Sequence, residues 1–227
     1  MNIVDGFRFV QGTRYMNGLR DYDHVRFLDF FEQQVKPDPY AAVRDRGMIK
    51  IAYDRASGTI RKNGNQAYFQ SYSANNVDGG HVREFPPIDD DLISNEVFLH
   101  ILKADAEVMN QYCHMVGKTS LDISVHFIRY KAEQGGASYS SPVWLHVDDE
   151  PLVFIHLLQL TDNAIGADSV ISGMNGQPTN VMRLSDPFDT LIVDKTRKHA
   201  VTPLGSSGGI AYRDVMLINV EAEVQQK

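Results

Sequence analysis

The sequence predicts a mainly β protein with flanking helices, its strands folded as a sandwich or jelly roll. Three observations point there. After residue 117, short apolar stretches recur between Gly, Asn and Pro turns, from 121–131 to 215–220. Before it, two segments repeat apolar residues at the three-and-four spacing of a helix, near 25–35 and over 93–116. With 43% hydrophobic and 22% charged residues, the 227 positions suffice for one sizeable core.

Residues 1–20 set Gly6, Gly12 and Gly18 among aromatic residues and read as a short strand or an irregular arm. Val25, Leu28, Phe31 and Val35 then share a helical face, with Asp21 or Asp23 placed to cap it and Pro37 and Pro39 to end it. The stretches 48–53 and 66–72 suit strands, separated by the turn-rich Arg55-Ala56-Ser57-Gly58. Asn75-Asn76-Val77-Asp78-Gly79-Gly80 is a loop, and 81–85 is a candidate strand stopped by Pro86-Pro87.

Over 93–116, Val97, Phe98, Ile101, Leu102, Val108, Met109, Tyr112, Met115 and Val116 fall on one helical stripe. Ser94 is the expected cap and Gly117 the expected stop, and the helix is expected to brace one face of a sheet. Strands are expected at 121–131, 143–147, 152–160, 190–193, 198–201 and 215–220. The stretch 152–160 is apolar on both faces and is expected to be central. No repeat, low-complexity tract or linker divides the chain. Residues 1–227 are therefore expected to form one domain, helix-containing over about 1–117 and β-rich over about 118–220.

A formal charge of −7 argues against a protein that tracks nucleic-acid phosphates, which needs a basic face. Cys113 is the single cysteine, so no intramolecular disulfide forms and a reducing cytoplasm fits. The opening Met1-Asn2-Ile3-Val4-Asp5-Gly6 has no basic stretch followed by an apolar run, and the longest apolar runs are too short to span a bilayer. The expectation is a soluble cytoplasmic protein with neither nucleic-acid nor membrane partners. The oligomeric state, homo-oligomer or monomer, is not set by the sequence.

The chemistry concentrates in Trp144-Leu145-His146-Val147-Asp148-Asp149-Glu150. On a strand, His146 and Asp148 point the same way, supplying an imidazole and a carboxylate to one metal. A third ligand is expected from His199, at the start of a later strand. Two histidines and one carboxylate on one face of an ion leave positions open for substrate and O₂, the facial triad of non-haem Fe(II) oxygenases. Arg213, on the strand after the last ligand, is placed to hold the far carboxylate of a keto-acid co-substrate as a two-pronged pair. The blander reading makes His146 and His199 hydrogen-bonded structural residues and Arg213 a surface ion-pair member.

Ser140-Ser141-Pro142-Val143-Trp144-Leu145-His146-Val147-Asp148-Asp149-Glu150-Pro151, followed by His199-Ala200-Val201-Thr202-Pro203-Leu204-Gly205, closely resembles the bacterial L-isoleucine 4-hydroxylase (isoleucine dioxygenase) family. Val125-His126-Phe127-Ile128-Arg129-Tyr130-Lys131, Thr161-Asp162-Asn163-Ala164-Ile165-Gly166-Ala167-Asp168 and, more weakly, Gly79-Gly80-His81-Val82-Arg83-Glu84-Phe85 extend the likeness, which covers roughly residues 40–220. The resemblance implies a double-stranded β-helix (jelly-roll, cupin-like) core, with Fe(II) on His146, Asp148 and His199 and 2-oxoglutarate on Arg213. It implies that O₂ and 2-oxoglutarate are consumed, that succinate and CO₂ are released, and that a free aliphatic L-amino acid of the isoleucine, leucine or valine type is hydroxylated. Oxidation of methionine at sulfur is an alternative outcome of the same chemistry. The first forty residues carry little recognisable motif.

Within that frame, Thr202 and Tyr130 are candidates to hydrogen-bond the keto-acid, and Trp144, sharing a face with His146, to wall the pocket. An amino-acid substrate needs partners of both signs. Asp149 and Glu150 are the candidates for its ammonium, and Arg83, Arg129 and His126 for its carboxylate. His156, among leucines, reads as a core histidine. Two rivals remain: the same chemistry on a peptide or protein side chain, and a non-catalytic jelly-roll binding module.

Overall fold

The computed structural model describes Ile3 and residues 5–221. The chain begins with β1 (Phe7–Val10) and the single turn α1 (Thr13–Met16), then enters α2 (Asp21–Gln34). At the start of α2 the Asp23 carboxylate accepts the Arg20 backbone N–H at 2.9 Å. The edge strand β2 (Lys36–Pro37) precedes β3 (Arg44–Asp54), β4 (Ile60–Lys62), β5 (Tyr68–Phe69) and β6 (Val82–Arg83). The long helix α3 (Glu96–Val116) starts one residue later than its expected cap: Asn95, not Ser94, accepts the Val97 and Phe98 N–H groups. It stops at Gly117, whose φ of 71° is the left-handed conformation that glycine adopts without strain. The remaining strands are β7 (Ser120–Ala132), β8 (Leu152–Leu160), β9 (Ala164–Gly166), β10 (Ser169–Ser172), β11 (Pro178–Met182), β12 (Thr190–Asp194), β13 (Lys198–Val201), β14 (Leu204–Ser206) and β15 (Ala211–Val220).

One large antiparallel sheet runs β1-β12-β8-β15-β7-β3-β2, with β4 added to β3. A smaller sheet, β11-β10-β13, lies apart from it, and β14-β9 and β5-β6 form two-stranded ribbons. Side chains alternate along β15, and the two sets enter two cores. Met216, Ile218 and Val220 join Phe27 and Phe31 of α2 and Phe98 and Ile101 of α3 in a core between sheet and helices. Ala211 and Val215 join Ile128, Leu157 and Ile171 in a second core, toward the smaller sheet. The result is a jelly roll with helices packed on its outer face. As expected, α3 braces the sheet and β8 is internal, between β12 and β15. No helix among the described residues is long and apolar enough to cross a membrane.

Four local expectations change. Residues 143–147 form no strand; only His146 makes an isolated bridge, to His199. The expected strand over 66–72 shrinks to Tyr68–Phe69, paired with β6. The expected strand 48–53 instead runs Arg44–Asp54, because β7 pairs with it from Arg44↔Tyr130 to Asp54↔Ser120. That extension carries two arginines into the sheet. The short strands β9, β10, β11 and β14 were not expected, and β11 is nearly all exposed, so no apolar alternation marks it.

Candidate active site

His199 sits on β13, whereas His146 and Asp148 sit on the loop between β7 and β8. The His146 N–H donates to the His199 carbonyl at 3.1 Å, and the His199 N–H returns a bond to the His146 carbonyl at 2.9 Å. This pair of bonds sets the two residues opposite each other, with ring centroids 4.5 Å apart. Asp148 then inserts its carboxylate between the rings: Oδ1 lies 3.4 Å from His146 Nε2 and Oδ2 lies 3.2 Å from His199 Nε2. The three donor atoms lie within 4.8 Å of one another. Donors at about 2.1 Å from one ion, at right angles, sit about 3 Å apart, so the set fits a metal. Convergence comes from the backbone bridge and not from strand alternation.

Two further contacts suit ligation. His146 Nδ1 is 2.8 Å from the Trp144 carbonyl, so an Nδ1–H donated there leaves the Nε2 lone pair facing Asp148. Without a metal, burial on its own would raise the Asp148 carboxyl, but the charge of His199 and hydrogen bonds from both imidazoles, each then carrying its Nε2 proton, hold it well below the usual range. The carboxylate is thus kept in its ligating, ionised form.

Arg213 projects from β15 beside Tyr130 of β7, its guanidinium 5.8 Å from that ring. It is buried, at 4% exposure, and its Nε has no partner. Among the described residues it makes no ion pair, and burial lowers its pKa from the ordinary guanidinium value. An unpaired buried cation is costly, so the geometry calls for an anionic ligand. His146, Asp148, His199, Arg213, Tyr130 and Arg83 line one pocket, whose wall is aliphatic at Ile128, Ile155, Leu191, Val215 and Leu217.

The other sequence candidates do not reach that lining. Thr202 is occupied in a turn, its hydroxyl accepting the Asp168 N–H at 2.9 Å. Trp144 is 54% exposed. Both Asp149 oxygens bind Ser71, one the backbone N–H and one the hydroxyl. Arg129 leaves the opposite face of β7 and forms a two-pronged pair with Asp214, at 2.9 and 2.8 Å, plus a 2.9 Å contact to Glu32. Residues 127 and 129 face α2, while 126, 128 and 130 face inward, which is why neighbours on β7 part company. Glu150 is buried behind the lining, accepting the Tyr68 hydroxyl at 3.2 Å; burial, then Asp148, push its carboxyl up to about 8. His126 is buried beneath Tyr68, with Arg46 Nη2 3.0 Å from its Nδ1.

Among the lining residues that the sequence did not point to are Arg46, Tyr68 and Gln70. Gln70 donates to Asp148 Oδ1 at 3.4 Å and accepts from Arg83 at 2.9 Å. Only Arg46 left a signal, as the alternate-position pair Arg44 and Arg46 just before an apolar strand.

Residues 30–219 match the family model described as 2OG-Fe dioxygenase. The chain belongs to the 2OG-Fe dioxygenase family. This dioxygenase is similar to L-isoleucine-4-hydroxylase from Bacillus thuringiensis, 37% identical over 193 residues, covering 84% of this chain and 79% of that protein. It is also similar to 3(1)-hydroxy-L-isoleucine 4-dioxygenase from Pantoea ananatis, 33% identical over 227 residues, 95% of this chain and 92% of that protein. The crystal structure of IDO from Bacillus thuringiensis superposes with a TM-score of 0.82 at 28% identity, covering 97% of this chain and 95% of that one. The dioxygenase uses Fe(II), 2-oxoglutarate and O₂, and the bound iron with its keto-acid supplies the oxidation of a C–H bond. His146, Asp148 and His199 could hold that ion beside an aliphatic pocket.

Proposed function

We propose that this dioxygenase hydroxylates a free aliphatic L-amino acid of the isoleucine, leucine or valine type, releasing succinate and CO₂. One observation carries the reading: the His146–Asp148–His199 set opens into a single pocket with an aliphatic wall and an unpaired buried guanidinium, Arg213. The activities by which the two relatives are named support the same substrate class. His146, Asp148 and His199 hold iron. Arg213 takes the distal carboxylate of 2-oxoglutarate, with Tyr130 packed beside it. The aliphatic wall takes the substrate side chain, and methionine fits the same wall with sulfur as the oxidised atom. The chain works as one catalytic domain, in the cytoplasm.

The test is succinate formation by the anaerobically prepared Fe(II) protein with 2-oxoglutarate and O₂, across a panel of free amino acids. Hydroxylated product and succinate in equal amounts are expected for a branched aliphatic member. Stimulation by peptides and not by free amino acids would replace this substrate class. Failure to bind iron would reduce the protein to a binding module.

A further inference from the structure

Three pocket-lining arginines are buried without a carboxylate, and they occupy two places. Arg213 stands on β15 beside Tyr130. Arg46 on β3 and Arg83 on β6 stand together on the aromatic pair Tyr68 and Phe85. The Arg46 guanidinium lies 3.8 Å from the Phe85 ring centre and that of Arg83 lies 5.1 Å from the Tyr68 ring centre. Exposure is 7% for Arg46 and 2% for Arg83.

Their hydrogen bonds are few and neutral. Arg46 Nη2 meets His126 Nδ1 at 3.0 Å, and Arg83 Nη2 donates to Gln70 Oε1 at 2.9 Å. The Nε of each has no partner, nor does His126 Nε2 behind them. Stacking on aromatic faces offsets part of the charge but satisfies no N–H. Two other arginines are treated differently: the buried Arg44 binds Asp38 at 2.5 Å, and the partly buried Arg129 binds Asp214. Among the described residues, neither Arg46 nor Arg83 has an acidic partner within ion-pair distance. Burial pushes Arg46 down to about 10, which leaves it charged at neutral pH.

Two adjacent buried cations with open donors are destabilising by themselves, so they mark a place completed by an anion. We propose that Arg46 and Arg83 are the carboxylate anchor of the primary substrate, a second acid site distinct from the keto-acid site at Arg213. It rests on the amino-acid reading given above. Gln70 sets the distance, because its carboxamide bridges Arg83 and the metal-binding carboxylate of Asp148. A carboxylate on Arg83 therefore sits one carboxamide from the iron ligands, the scale of an aliphatic side chain. Chain length from acid to reacting carbon then decides which carbon is oxidised. Gln70, touching both anchor and ligand, is a positioning residue.

Arg46→Met, Arg83→Met and the matching lysine variants test this in the Fe(II)- and 2-oxoglutarate-loaded protein. KM for the amino acid is expected to rise at least roughly tenfold in the methionine variants, with lysine intermediate. KM for 2-oxoglutarate and the affinity for Fe(II) are expected to stay within about twofold, since neither ligand touches the pair. The amino-acid amide, lacking the anionic group, is expected to be a poor substrate that loses nothing further in the variants. The methionine variants are expected to melt at or above the wild-type temperature, because an unpaired buried charge has been removed. Lower melting with unchanged KM would make the pair structural and overturn the proposal, as would equal losses for acid and amide. If no amino acid is turned over, calorimetric binding of aliphatic monocarboxylates to the anaerobic loaded protein decides. Binding abolished in the methionine variants upholds the anchor while the amino-acid reading falls; absence of carboxylate binding removes the anchor.

Discussion

His146 and His199 exchange both of their backbone hydrogen bonds, at 3.1 and 2.9 Å, although the chain around His146 belongs to no strand. This bridge pins a loop to the edge of the smaller sheet at the point where a metal needs two imidazoles. Asp148, two residues on, reaches the gap between the rings with one oxygen toward each Nε2. The placement of the three candidate ligands therefore rests on main-chain bonds that any residue but proline supplies.

That separation predicts that His146→Ala loses iron without losing the fold. His146 is only partly buried at the pocket, so stability is expected to change by about 1 kcal/mol or less. Equilibrium dialysis with Fe(II) and a thermal melt check the two halves. Stoichiometric iron binding by His146→Ala, or by Asp148→Ala, would remove that residue from the metal set.

Arg213→Met is expected to weaken 2-oxoglutarate use selectively. Truncating one partner of a buried charged pair costs on the order of 2–5 kcal/mol, which corresponds to a KM increase of well over tenfold. The amino-acid KM is expected to move far less, and the ligand-free protein is not expected to melt earlier, since among the described residues the guanidinium has no acidic partner and its Nε is unsatisfied. An unchanged KM for 2-oxoglutarate would place the co-substrate elsewhere.

Stability is expected to fall as pH drops below about 6.5, with His126 as one cause. Burial, then the charges of Arg46, Lys50 and Arg83, hold its pKa well below 6.5. The unfolded chain takes up a proton near pH 6.5 that the folded chain refuses, so protons favour unfolding. The contribution is complete above that pH and is lost toward the folded-state value, at up to about 1.4 kcal/mol per pH unit. Melting profiles between pH 5 and 8 check it. His126→Gln is expected to flatten the acid limb, and an equally steep limb in that variant would acquit the histidine.

On the helix side of the large sheet, Tyr15 donates to Asp105 Oδ1 at 2.7 Å, while His156 sits 2.9 Å from Asp105 Oδ2 and 2.7 Å from Thr190 Oγ1. This fully buried chain ties α1, α3, β8 and β12 together. Asp105→Ala is expected to cost about 1–3 kcal/mol for each donor left alone, with both substrate KM values unchanged. Denaturant unfolding and steady-state kinetics check the two statements, and a large KM effect would give the network a role in the pocket.

Much of the site was legible because its chemistry sits in short, residue-specific strings. His146, Asp148, His199 and Arg213 declared themselves by type and order, and α3 by its stripe of Val97, Phe98, Ile101 and Leu102. Local pattern reports which residues share a face of their own element. It does not report which side of the sheet becomes the pocket, nor how far a partner strand extends the pairing. So Arg129 and His126, both read as substrate residues, turned out to stand on opposite faces of β7, the first bound to Asp214 and the second beneath Tyr68. Arg46 entered the pocket because β7 pairs with β3 past its apolar segment, and Gln70 entered on a loop with no periodicity to announce it. By itself the sequence determined the candidate His–Asp–His set, the long helix and the β-rich second half, since composition and spacing are intrinsic to the chain. Only the tertiary structure decided which buried charges meet a partner and which are left open for a ligand, because that depends on contacts between segments distant in sequence.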